Sequence, residues 1–101
     1  MLHTIRTVIT VFIVLVITVA FRTPSTGEGK ALYEHHCAHC HGADGTKGMF
    51  GARNLQKSTL PDSAIIVQIK NGKRIMPAFR KKFTQEQIAE VSAYIKSFRK
   101  L

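Results

Sequence analysis

Cys37, Cys40 and His41 fall within five positions of one another in the stretch CAHCHG, offering two thiols and an imidazole. Three chemistries suit such a set: part of a zinc cage, a redox-active dithiol, or the covalent anchor of a porphyrin. Structural zinc takes two well-separated ligand pairs. Here the chain's two cysteines both lie in this stretch, and the one histidine outside the neighbourhood is His3. A thioredoxin-like dithiol belongs to a strand-helix-strand pattern, and no segment of this chain alternates as a strand would. The spacing suits the third chemistry. Near the end of a helix, two cysteines three apart can reach both vinyl groups on one porphyrin edge and form thioethers. His41, next in line, then lies beneath the ring and can direct a ring nitrogen at the iron. C-x-x-C-H is the attachment signature of c-type haem.

The opposite face of such a ring needs a second donor. His35, His36 and His39 are tied to the proximal side and read as solvent-exposed. Met49 reads as core filler, the usual role of an unbranched thioether. Met76 differs because it precedes Pro77, which biases it toward extended geometry. From a loop between two helices its sulfur can point inward while the backbone stays fixed.

The elements that must position these residues are helical. Ser25 followed by Glu28 fits a capping box, opening a helix that reads GKALYEHHCAHC. Gly42, Gly45, Gly48 and Gly51 then punctuate a long loop. Some 20 residues without structure are uncommon in a compact domain; they make sense if they wrap something large, apolar and non-protein. LPDSAIIVQIKNGK predicts a short helix entered at Pro61 and ended by Asn71-Gly72, with Ile65, Ile66 and Ile69 on one face. KRIMPAFRKKF reads as a loop. Thr84 with Gln87 forms another capping box, and Ile88, Val91, Ile95 and Phe98 draw an apolar stripe at helical spacing down the last helix.

The first 21 residues stand apart. Thr7 to Phe21 runs without a charge between Arg6 and Arg22, as a signal peptide does, with a small-residue exit at Thr18 to Ala20. As a membrane anchor through residues 7–21 it is short, since 15 helical residues rise about 22 Å against a hydrocarbon core of about 30 Å. Either reading exports the rest, to the periplasm or the outer face of the cytoplasmic membrane. The division is then 1–21 leader or anchor, 22–27 linker and 28–101 domain. About 80 exported residues are near the size at which a core needs help from a disulfide, metal or cofactor. The formal charge is +9, which points to an acidic protein or an anionic membrane as partner. Nucleic acid is disfavoured for an exported chain without a binding motif.

From about Gly27 to Leu101 the chain resembles the monohaem class I cytochromes c. The likeness rests on GKALYEHHCAHCHG with Gly29, Tyr33 and Cys37 at four-residue intervals, the glycine-rich loop ending in GARNL, the helix closing in IKNGKRIMPAF, and the amphipathic last helix with Tyr94. The resemblance implies an all-α fold of three or four helices around one covalent haem, preceded here by an apolar N-terminal helix. It implies thioethers from Cys37 and Cys40 and axial ligation by His41 and Met76. It also implies that the first and last helices of the domain cross at Gly29, with Tyr33 and Tyr94 at the contact. Relatives often carry proline where Arg53 stands, and a carbonyl in that loop usually accepts the proximal histidine's free N–H.

With both axial positions filled by protein, the expected role is a one-electron carrier between respiratory-type redox partners and not an enzyme. Lys70, Lys73, Arg74, Arg80, Lys81 and Lys82 bracket Met76 with no acidic residue among them, a collar suited to steering an acidic partner. The alternatives are a haem subunit anchored in a larger membrane complex, and a small peroxidase or ligand sensor if Met76 does not bind iron.

Overall fold

A computed structural model describes residues 1–19 and 26–100. It contains helices α1 (Leu2–Val19), α2 (Thr26–His36), α3 (Ala38–His41), α4 (Asp62–Asn71) and α5 (Gln85–Lys96), with a 3-10 turn at Met49–Gly51. No strand occurs among the described residues; Lys73 and Met76 form an isolated bridge. The expected all-α class is what the chain adopts. Ser25 of the expected capping box, linker residues 22–25 and the exit residue Ala20 lie outside the described residues. Among those described, no helix is long and apolar enough to cross a membrane.

Helix α5 starts where Thr84 and Gln87 exchange hydrogen bonds. The Gln87 N–H donates to the Thr84 hydroxyl at 3.1 Å, and the Thr84 N–H donates to the Gln87 side chain at 2.9 Å. Two of the helix's orphan donors are thereby satisfied. Its stripe then buries Ile88, Val91 and Ile95, with Phe98 packed against the same core. Helix α4 starts after Pro61 and turns Ile65 and Ile69 inward. The Lys96 ammonium reaches the Asp62 carboxylate at 2.7 Å, joining the first turn of α4 to the last turn of α5.

Helix α2 packs chiefly on α5. A Cβ at Gly29 would collide with the Glu90 carbonyl, so only glycine lets the two backbones approach this closely. One turn on, the fully buried Tyr33 meets Tyr94 edge-on at 5.3 Å and Phe98 at 5.0 Å. Such T-shaped pairs add to simple area burial. Among the described residues the buried apolar core is eight side chains: Tyr33, Ile65, Ile69, Phe79, Phe83, Ile88, Val91 and Ile95. That is a small core, and several of its members also face a cavity.

Candidate functional site

The motif residues are not the end of one continuous helix. Helix α2 closes at His36, the chain breaks at Cys37 (φ −116°, ψ −37°), and Ala38–His41 form a separate short turn. The break stays bonded: the Cys37 N–H donates to the Tyr33 carbonyl at 2.9 Å and the His41 N–H to the Cys37 carbonyl at 3.0 Å. Gly42, at φ +85°, then turns the chain into the long loop.

That loop folds back on the motif. The Lys47 N–H donates to the His41 carbonyl and the Leu55 N–H to the Gly45 carbonyl, both at 2.9 Å. The same return sets the Arg53 carbonyl 3.2 Å from Nδ1 of His41. A carbonyl only accepts, so Nδ1 carries the proton and Nε2 keeps a free lone pair. The position where relatives often hold proline thus supplies the acceptor through its main chain. Burial lowers the His41 pKa, outweighing the opposing effect of this bond, which favours the neutral ring with its lone pair at Nε2.

Met76 reaches the site by a different device. Gly72 ends α4 at φ +65°, and a Cβ there would collide with the Met76 carbonyl. Lys73 and Met76 exchange N–H···O bonds of 3.0 Å in both directions, closing a tight turn over Arg74 and Ile75. Beyond Pro77, the Phe79 N–H donates to the Ile69 carbonyl at 3.0 Å and the Arg80 N–H to the Lys70 carbonyl at 3.3 Å. The Arg80 guanidinium also bonds the Asn71 side chain.

Cys37, Cys40, His41 and Met76 line one cavity of about 330 Å³, within the range of small-molecule and cofactor sites. Ile65, Ile69, Phe79, Leu55 and Leu60 supply apolar walls, Arg53, Lys73 and Arg74 are also at its lining, and among the described residues no acidic side chain is. Both cysteines are half-buried and not joined to each other. Burial pushes the Cys37 thiol, before any thioether forms, up to about 11. Two thiols, an imidazole with a free lone pair and a thioether around an apolar cavity fit a covalently held porphyrin. Among the described residues no cluster of His, Cys, Asp and Glu could hold a metal ion by itself.

His36 departs from the exposed position expected of it. It is half-buried, lines the cavity and packs edge-on against Phe83 at 5.1 Å and Phe79 at 6.1 Å. Its pKa is lowered by burial, then by Lys82 and His35. His35 and His39 are exposed, and Met49 lines the cavity from the 3-10 turn. Sequence reasoning passed over Phe50 and Ile75, which also line it; the glycines at 48 and 51 flanking Phe50 were the available signal.

Residues 24–95 match the protein family described as Cytochrome C oxidase, cbb3-type, subunit III. Cytochrome c6 of Nostoc sp. is 35% identical, the match covering 77% of this chain and 78% of the relative. Cytochrome c6 of Rippkaea orientalis is also 35% identical, over 84% and 86% of the two chains. The solved KustC0563 c-type cytochrome superposes with a TM-score of 0.65 at 33% identity, covering 71% of this chain and 98% of its own.

Proposed function

The chain belongs to the small monohaem class I c-type cytochromes, and from that premise we propose that it passes single electrons through a haem held by Cys37, Cys40, His41 and Met76. Membership makes it an electron-transfer protein rather than an enzyme, with one covalently bound c-type haem and redox proteins as partners. The haem, when bound, supplies reversible one-electron exchange. The chain's own residues do the rest. Cys37 and Cys40 furnish the thioether sulfurs, and His41 offers Nε2 while Arg53 holds the opposite side of its ring. Met76, in the same cavity lining, would offer its thioether as the second ligand, a His/Met pair of the kind that raises the potential. Ile65, Ile69 and Phe79 exclude water. The observation that supports this reading most strongly is that residues 35 positions apart in sequence, His41 and Met76, meet at one cavity.

Export belongs to the same proposal, with residues 1–20 removed by a cut at the small-residue exit after Ala20. The description of the matching family favours a second reading, a haem subunit within a membrane-bound oxidase. One set of measurements tests both. Intact mass should show one haem and no residues 1–20; a retained leader in protein recovered only from membranes would favour the second reading. The oxidised spectrum should show the methionine sulfur–iron band. Met76→Ala should abolish it, admit carbon monoxide, and lower the potential by a sizeable part of the ~0.8 V that axial ligands span. An intact band in Met76→Ala would overturn the ligand assignment.

A further inference from the structure

Among the described residues, helix α4 packs on α5 and not on α2 or α3. The cavity therefore has two sides that are built separately. Cys37, Cys40 and His41 belong to the side formed by the end of α2 and by α3. Met76 belongs to the other, in a segment bonded to α4 through the Ile69 and Lys70 carbonyls. Helix α5 packs on both α2 and α4, and at the cavity lining His36 adds a second tie. It is the last residue of α2, one position before Cys37. Its ring stands edge-on to Phe83 at 5.1 Å and to Phe79 at 6.1 Å, within the range over which aromatic edges and faces attract. Phe79 follows Met76 by three residues, and Phe83 directly precedes the Thr84 cap of α5. The two phenyl rings are buried and stacked at 4.9 Å, and the Phe83 N–H donates to the Phe79 carbonyl at 2.9 Å. Among the described residues, the aromatic contacts from α2 to this segment are those of His36; Tyr33 meets Tyr94 and Phe98 instead.

We propose that His36 is a positioning residue for Met76: by its edge against the Phe79–Phe83 stack it keeps the methionine segment seated on the cysteine side of the cavity. This rests on the reading of Met76 as a ligand. The contribution is one of shape, an aromatic edge at a junction of three elements, so another aromatic ring can replace the imidazole. Without that edge the Met76 sulfur would leave its place more often and let small anions in.

The test mixes oxidised, haem-loaded protein with cyanide over a range of concentrations and follows loss of the methionine sulfur–iron band. In the parent the rate should level off at high cyanide, at the rate at which Met76 lets go. His36→Ala should raise this plateau about fivefold. His36→Phe, which restores a ring edge, should bring it back to within twofold of the parent. A plateau in His36→Ala within twofold of the parent overturns the proposal, and so does failure of His36→Phe to restore it. If His36→Ala does not load haem, His36→Leu carries the test, since it fills the space without an aromatic edge. About a threefold rise is then expected, and no change overturns the proposal. Failure of the underlying reading looks different: the parent itself would show no plateau, its rate rising in proportion to cyanide as in Met76→Ala, and both readings would fall together.

Discussion

Tyr33 shows how much one side chain carries in a core this small. Its ring fills the crossing of α2 and α5, and its hydroxyl donates to the Gly42 carbonyl at 2.6 Å, one residue past the proposed iron ligand. Burial, with Cys37, Tyr94 and Asp44 adding to it, holds the phenol far above its ordinary pKa, so it remains a donor at physiological pH. Tyr33→Phe keeps the ring and strands the carbonyl, and should cost roughly 1–3 kcal/mol. Urea unfolding of the haem-loaded protein would read this as a lower midpoint at unchanged slope. The grouping of Cys37, Cys40 and His41 was legible in the sequence from their spacing, and the place of Tyr33 at the contact of α2 and α5 from the family resemblance. The acceptor for His41 was not, because every residue has a carbonyl and only the return of the loop selects that of Arg53. His36 was misread for a related reason: its burial depends on Phe79 and Phe83, more than forty residues away.

At the scale of elements, the ends were easier to read than the breaks. Pro61, Asn71-Gly72 and the Thr84–Gln87 box mark α4 and α5 for separate reasons: proline's fixed φ and missing N–H suit a helix start, glycine's left-handed φ ends one, and the Thr84 and Gln87 side chains satisfy orphan backbone groups. The interruption at Cys37 carries no such mark. Gly72 is the element-level position with the sharpest consequence. Alanine there would adopt left-handed geometry and also push on the Met76 carbonyl, together on the order of 2–4 kcal/mol. Gly72→Ala should therefore lower stability and shift the oxidised spectrum toward that of Met76→Ala. Gly27, whose Cβ direction is open, provides the control; Gly27→Ala should be neutral or slightly stabilising. Equal effects at the two sites would remove the special role of Gly72.

For the whole molecule the deciding quantity is charge. The chain carries +9, and Lys73, Arg74, Arg80, Lys81 and Lys82 are all exposed. Lys73→Glu with Lys81→Glu should slow reaction with an acidic redox protein about tenfold at low salt. The deficit should shrink as ionic strength rises and the Debye length falls to a few ångströms. A deficit that persists at high salt would assign those residues a role other than steering. Tight backbone pairing gives the loop around Met76 one more consequence. Lys73, Met76, Phe79 and Arg80 are fastened by main-chain bonds to one another or to α4, and the His41 main chain is bonded to Cys37 and Lys47 while its ring is held by the Arg53 carbonyl. Neither side of the cavity relies on a mobile side chain to hold it in position. A scaffold set in advance has little to rearrange when a charge arrives or departs, so the tempo of exchange would be governed by how fast partners meet and part, not by how fast the protein can yield.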